Sequence, residues 1–521
     1  MRSWMGRGKS LQVGITICCL VAFILYGYDQ GVLSGILQNE DFLDQFNHPT
    51  DSETGIIVSC FNLGCLAGCF VNFIIGDFLG RRRAIWCGMV LVIIGAALQA
   101  SAFSRAQLIV GRLLTGLGTG MKTSTVPMYQ SELCDRSQRG KLVSAEVMFV
   151  GIGICIAYWF DFGMSYTAGP IAWRLPIAFQ ATFAILVVVL VFALPESPRW
   201  LYARGRQEEA VAVMCAVYDK EPDDDYIMAE RTAIEEAIQL ERRVAEQKSF
   251  WSIFKNDEVK TGYRVLLAWG IQFMNQLSGI NLVVYYLPTV LVDNVGMTTH
   301  MALILGGCIN LMFPIGSLGP SLALDRMGRR KTMIIGCSIL SLCMMMVAAL
   351  LSQAGEPDTP RGKAFGAAAT AFFFVYMLTF GASVNCVPWV YVPEILPLEA
   401  RTRGTAVGVS SNWLWNFFVV MIAPVIVSRL KWKAYFIFMA TNLVFVPMVY
   451  FFFPETSKMR LEDMDYFFSS GENPVAVARK FAAKIKSGQY DPETELAAAG
   501  HQKDDKKAVT EAQPVASHGT S

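Results

Sequence analysis

The chain has 521 residues, 53% of them hydrophobic and 17% charged, with a net charge of +1. Soluble proteins carry about a quarter charged residues, so this composition, with a mean hydropathy of +0.40, points to lipid as the solvent. The arginines fall in short clusters between apolar runs with no long basic stretch, a pattern of membrane topology rather than of nucleic-acid binding.

The first apolar run, about residues 11–37, is longer than a signal-peptide core and lacks a small-residue cleavage site, so it reads as a retained span. Within it, "LYGYDQGVLSG" holds Asp29, a carboxylate that costs several kcal/mol in a span unless it is paired, hydrated or protonated. Further spans, each near the roughly 20 residues needed to cross a bilayer, are expected at 54–75, 84–103, 107–129, 141–163 and 171–194. The polar insert that follows, 195–261, carries charged helical periodicity and reads as short surface helices. Spans resume at 262–291, 298–323, 332–352, 364–392, 404–426 and 432–453, for a total of twelve.

The expected organisation is an all-α membrane protein. A six-helix bundle over 1–194, a linker over 195–261 and a second bundle over 262–457 precede a tail over 458–521, disordered from about residue 488. The thirteen cysteines lie mostly in apolar runs without paired ligand spacing, and four scattered histidines complete no zinc site. No metal and no cofactor are expected.

Arg81, Arg82, Arg83, Arg136, Arg139, Lys141, Arg326, Arg329, Arg330, Lys331, Arg401 and Arg403 all fall on one side of the twelve-span arrangement. The first loop of the other side has five acidic residues and no Lys or Arg. The positive-inside rule then puts both termini and the insert in the cytoplasm.

The two halves repeat. "GDFLGRRR" returns as "LDRMGRRK", "ELCDRSQRG" as "EILPLEARTRG", and "PESPRW" as "PETSKM", in the same order. Repeats of this kind put a solute site near the midplane between two bundles. At this point the sequence resembles the sugar-porter family of the major facilitator superfamily over nearly its whole length. "FILYGYDQG", "GRLLTGLGTGMKTSTVPMYQSE" and "IAYWFDFGMSYT" look like the fungal branch that contains glycerol–proton symporters and hexose or pentose transporters.

Arg81, Arg82, Glu132, Arg139, Arg329, Arg330, Glu394 and Arg401 sit at cytoplasmic span ends. They read as ion pairs that tie the halves together when the inner side closes, against the plainer reading of incidental surface pairs. The positive-inside rule gives no reason for Glu132 and Glu394 to occupy equivalent repeat positions. The resemblance implies the gate.

Asp29 has two readings. It forms a permanent structural pair with Arg112, the other charge deep in this half, or it titrates, releasing and recapturing Arg112. In the resembling family an aspartate here marks proton symporters. Glu146, about 10 Å into the fifth span at ~1.5 Å per residue, is open between a second titrating group, a substrate ligand and a partner for a neighbouring helix. Asp161 and Arg174 flank the outer loop and read as interfacial.

In span seven, Gln276, Asn281 and Tyr285 offer the donors and acceptors that suit a hydroxyl-rich ligand, or else bond between helices. The resemblance assigns substrate contacts to Gln276, Asn281, Trp389 and Asn412, with Asn275 standing where sugar porters have a second glutamine. Val147, Phe313 and Gly381 stand where they commonly carry polar or acidic residues, which puts ordinary glucose specificity in doubt.

The expected function is a proton-coupled importer of a hexose, pentose or polyol, monomeric in the bilayer of the plasma membrane. A sugar acid such as galacturonate or quinate is the alternative substrate, and a non-transporting nutrient receptor the alternative class. An enzyme would need a convergent nucleophile, metal or paired catalytic carboxylates, and the sequence offers none.

Overall fold

The computed structural model describes residues 6–134, 139–247, 250–355, 359–457, 459, 461–470 and 472–487. The expectation of a disordered tail beyond residue 488 lies outside them. The N-terminal half comprises α1 (Lys9–Ile36), the short α2 (Glu40–Gln45), α3 (Asp51–Leu79), α4 (Arg81–Ala100), α5 (Arg105–Leu133), α6 (Arg139–Met164) and α7 (Ile171–Ala193). The insert forms α8 (Pro198–Ala203), α9 (Gln207–Tyr218) and α10 (Asp225–Gln247). The C-terminal half comprises α11 (Thr261–Leu277), α12 (Ile280–Asp293), α13 (Thr299–Met327), α14 (Arg329–Ala354), α15 (Pro360–Ala382), α16 (Cys386–Ile395), α17 (Arg401–Leu430) and α18 (Ala434–Phe452). Two amphipathic helices, α19 (Leu461–Ser469) and α20 (Pro474–Ser487), follow.

Among the described residues, 9 segments are long and apolar enough to cross a membrane. One of them, Arg401–Phe452, contains both α17 and α18. The α5 run carries Arg105, Arg112, Lys122 and Glu132, and the seventh crossing is split into α11 and α12. With these included, the architecture has twelve crossings.

Local chemistry sets the helix ends. Thr50 and Glu53 form a reciprocal capping box that starts α3. Ser104 caps α5, and Thr359, followed by Pro360, caps α15. On α5, a Cβ on Gly116 or Gly120 would lie 2.1 Å from the carbonyl oxygens of Phe61 or Cys65 on α3. Gly118 faces Gly88 of α4 at 2.2 Å in the same sense. Small residues here let three helices touch through their backbones.

Helix pairs α3–α5, α4–α5 and α1–α6 hold the first half together, and α14–α15, α14–α18 and α11–α17 the second. The halves meet along α3–α17 and α6–α13. At the end opposite the arginine clusters they are joined by direct bonds. Gln38 Nε2 donates to Thr289 Oγ1 at 2.9 Å, Ser428 Oγ to Asp51 Oδ2 at 2.5 Å and Tyr158 OH to the Val284 carbonyl at 2.8 Å.

Two helices are broken, and each break is satisfied by side chains, as an apolar surrounding requires. Between α11 and α12, Gly279 has φ 102°, and a Cβ there would lie 2.9 Å from the Phe438 ring. The freed Ser278 carbonyl accepts from Tyr376 OH at 3.0 Å and Asn442 Nδ2 at 2.8 Å. Between α15 and α16, the Val384 carbonyl accepts from Asn275 Nδ2 at 2.7 Å, and Asn385 N returns to the Phe380 carbonyl.

Candidate transport site

The two breaks face one cavity between the halves. The N-terminal half contributes Phe23, Tyr26 and Gln30 of α1 and Val147, Val150 and Ile154 of α6. The C-terminal half contributes most of the polarity, through Asn275, Gln276, Asn281, Asn385, Asn412 and Asn416, with Trp389, Phe313 and Phe380 as aromatic wall.

The amides are prearranged. Asn281 Nδ2 donates to Gln276 Oε1 at 2.8 Å, while Gln276 Nε2 donates to Asn412 Oδ1 at 2.5 Å and to Asn275 Oδ1 at 2.8 Å. Gln30 Nε2 donates to Tyr26 OH at 3.0 Å. Among the described residues, Asn412 Nδ2 and Asn416 Oδ1 are buried with no hydrogen-bond partner. A donor and an acceptor are therefore left over at one wall, the complement a hydroxyl needs, since it can both give and accept.

Asn275, Gln276, Asn281, Trp389 and Asn412 are thus brought together in one cavity, but Tyr285 is not with them. It lies one turn beyond Asn281 on α12, 1% exposed, and turns to Asn62 of α3, with Arg112 and Asp29 nearby. The helical turn separates what the sequence grouped. Glu146 also stays out of the wall, which its neighbour Val147 lines. Its side chain is fully buried, with neither oxygen hydrogen-bonded among the described residues and the Cys19 thiol nearby.

Asn385, Asn416, Gln30 and Tyr26 also line the cavity, and their sequence context does not single them out. Asn385 reaches the cavity only because α15 ends at Ala382. Asn416, one turn past Asn412 on α17, could have been found by its spacing.

Asp29 is fully buried on α1. Thr119 Oγ1 donates to its Oδ2 at 3.2 Å, while Oδ1 has no hydrogen-bond partner among the described residues. Arg112 does meet Asp29, but through the backbone: its Nη1 reaches the Asp29 carbonyl at 3.5 Å and its Nη2 the Val58 carbonyl at 3.2 Å. The guanidinium lies over the Phe61 ring at 4.7 Å. This corrects the expected carboxylate–guanidinium pair, because backbone carbonyls hold the fork. A second buried cation, Lys122 on α5, also stands near the carboxylate. The rule that singles out Asp29, a charge inside an apolar run, applies equally to Lys122.

Asp161 is buried rather than interfacial. Its Oδ2 accepts from Gly35 N at 3.2 Å, where α6 crosses α1. Arg174 matches its reading better, as a half-buried side chain that donates to the carbonyls of Ala100 and Ala102.

The arginine-cluster end is built twice. Arg81 grips Glu132 with Nε at 3.1 Å and Nη2 at 3.0 Å, and Arg329 grips Glu394 with Nε at 3.1 Å and Nη2 at 2.7 Å. Each fork closes within its own half, rather than tying one half to the other as the paired motifs suggest. Glu196 accepts from the backbone N–H groups of Arg81 and Arg82, as Glu455 does from Arg329 and Arg330. The acids of "PESPRW" and "PETSKM" therefore cap the helices that begin at the arginines. The side chains of Arg82 and Arg330 donate to the carbonyls of Phe192 and Tyr450. Arg401 opens α17, and the side chain of Arg139 lies outside the described residues.

A twelve-crossing helical protein with two repeated halves and a polar cavity at their interface is a secondary transporter of the alternating-access type. Residues 15–468 match the family described as Sugar (and other) transporter. The MFS-type transporter oryC of Aspergillus oryzae is 40% identical over 91% of this chain and 88% of its own length. The Sugar transporter STL1 of Saccharomyces cerevisiae is 33% identical, covering 91% and 85%. A Quinate permease of Neurospora africana is 32% identical, covering 86% and 87%. In structure, the proton:xylose symporter XylE bound to 6-bromo-6-deoxy-D-glucose superposes with a TM-score of 0.74 at 23% identity, covering 88% of this chain and 100% of XylE. The chain belongs to the sugar-transporter family of the major facilitator superfamily.

Proposed function

We propose that the protein is a proton-coupled symporter that imports a neutral, hydroxyl-rich solute, a hexose, pentose or polyol. The observation that carries this reading is the cavity wall. Seven amides (Gln30, Asn275, Gln276, Asn281, Asn385, Asn412 and Asn416) stand beside Tyr26 and Trp389, and no charged residue is among the described residues that line it. Amides bond hydroxyls in both senses, and the indole offers an apolar face to a sugar ring. The names of the yeast sugar transporter and of the xylose symporter XylE fit this chemistry. A quinate-like anion would want a cation in the wall, and Arg112 and Lys122 lie outside it.

In this cycle Asp29 takes a proton from outside, solute binds between the halves, the outer side closes and the inner side opens. A proton moving down 100 mV contributes about 2.3 kcal/mol to accumulation. Glu146 is a second proton-holding group. The Arg81–Glu132 and Arg329–Glu394 forks, with Arg82, Arg139, Arg330 and Arg401, form the cytoplasmic gate of a monomer in the plasma membrane, with both termini inside.

The test is uptake by the purified protein in liposomes carrying an internal pH dye. The external panel is glucose, xylose, arabinose, glycerol, galacturonate and quinate. Acidification triggered by a neutral member, and lost in Asp29→Asn while solute exchange persists, is the expected result. Acidification with quinate or galacturonate alone overturns the neutral assignment. Uptake without any acidification makes the carrier a facilitator, and saturable binding without flux makes it a receptor.

A further inference from the structure

Helix α5 buries two cations, and they are held differently. Arg112 is fixed by two backbone carbonyls and the face of Phe61. Lys122 is 1% exposed, and its Nζ has no hydrogen-bond partner among the described residues. An ammonium in an apolar interior costs several kcal/mol unless a counter-charge stands near it. The acid whose charge acts on Lys122 is Asp29, with the Cys65 thiol of α3 the other titratable neighbour. Both Lys122 and Arg112 act on Asp29, and Tyr28 of α1, Cys65 of α3 and Tyr285 of α12 are further titratable groups around it.

The two cations approach Asp29 from different turns of α5. Thr119, which bonds the carboxylate, lies one helical turn from Lys122 but about 10 Å of axial rise from Arg112 at ~1.5 Å per residue. Lys122 is toward the arginine-cluster end and Arg112 toward the opposite end. Among the described residues, Asp29 Oδ1 and Lys122 Nζ are both buried without a hydrogen-bond partner, and Thr119 links the carboxylate to the turn of α5 that carries Lys122.

We propose that Lys122 is the working counter-charge of Asp29, the group that controls when the carboxylate takes up and gives back its proton, while Arg112 positions the α1 backbone. The inference rests on the symport reading above. A lysine suits the role because its ammonium is a point charge on a flexible stem, able to follow Asp29 as α1 and α5 shift. A guanidinium held by backbone carbonyls cannot. With Asp29 ionised, the cluster holds two cations and one anion. Protonating Asp29 leaves the two cations uncompensated, so Lys122 drives release of the proton once the solute has crossed.

The test removes the charge and keeps the volume, with Lys122→Met, and keeps the charge with Lys122→Arg. The protonated-carboxyl infrared band, assigned to Asp29 by its loss in Asp29→Asn, is titrated in proteoliposomes, and the pH profile of solute counterflow is recorded beside it. Losing a cation at this range raises the proton affinity of Asp29, so the Lys122→Met midpoint moves to higher pH by about one to two units. Lys122→Arg stays within about half a unit of the wild type. Lys122→Gln serves as a second neutral variant if Lys122→Met does not fold. An unmoved midpoint in the neutral variant overturns the role of Lys122 and leaves symport standing. Absence of wild-type acidification overturns symport, and the infrared midpoint still decides Lys122.

Discussion

Asn281 and Tyr285 stand one turn apart on α12 and serve different sites. Asn281 Nδ2 bonds Gln276 in the cavity wall at 2.8 Å, while Tyr285 is buried beside Asn62 and the Asp29–Arg112 cluster of the other half. A single rigid turn therefore connects the solute cavity to the buried charges. Any shift of α12 when solute engages Asn281 also moves Tyr285 against the N-terminal half.

Tyr285→Phe removes only the hydroxyl from that link. Solute KM in counterflow is expected to stay within about twofold, because the cavity is untouched, while accumulation under a proton gradient falls about tenfold, equivalent to ~1.4 kcal/mol of lost coupling. Parallel counterflow and uphill-uptake assays on one preparation check this. Equal losses in both would assign Tyr285 to packing.

Asn385→Ala tests the wall that the break between α15 and α16 creates. Losing one amide contact to a hydroxyl raises solute KM about tenfold with kcat little changed, in keeping with a net ~1–1.5 kcal/mol per hydrogen bond. A series of mono-deoxy solutes should contain one analogue to which the variant and the wild type respond equally. If every deoxy analogue discriminates between them as the parent does, Asn385 makes no solute contact.

Gly279→Ala forces a Cβ into positive φ and against the Phe438 ring at 2.9 Å. The expected cost is about 1–3 kcal/mol, read as a lower midpoint of thermal unfolding in detergent. Adding Phe438→Ala removes the clash but not the backbone strain, so part of the loss should remain relative to Phe438→Ala alone.

Glu132→Gln leaves Arg81 gripping a neutral amide, with side chains 12% and 8% exposed for the arginine and the glutamate. Breaking a buried pair from one side costs about 3–5 kcal/mol, and removing both partners costs less. Thermal midpoints of Glu132→Gln, Arg81→Met and the double variant complete a cycle. Additive losses would show that the fork contributes no coupling.

Much of this architecture was legible in the residues themselves. Spans, insert and repeats follow from apolar length, charge deficit and ordered motifs, which are properties of consecutive residues. Gln276, Asn281 and Trp389 were visible beside "LSG" and "VPW", where glycine or proline interrupts a span. Lys122 was legible by composition, but nothing local says that Arg112 is held by backbone carbonyls while Lys122, among the described residues, is not. That difference depends on which side of α5 faces α1.

Sequence by itself determined that this chain lives in lipid, crosses it twelve times and repeats its halves, because hydropathy and motif order are encoded along the chain. Only the tertiary structure decided that Tyr285 leaves the solute wall while Asn385 joins it, that Arg112 holds backbone rather than carboxylate, and that Val147 rather than Glu146 lines the cavity between the halves. Those outcomes turn on rotation about each helix axis and on where a helix breaks. Both are fixed by the neighbours that fill each face and satisfy each freed carbonyl, and those neighbours lie far away in sequence.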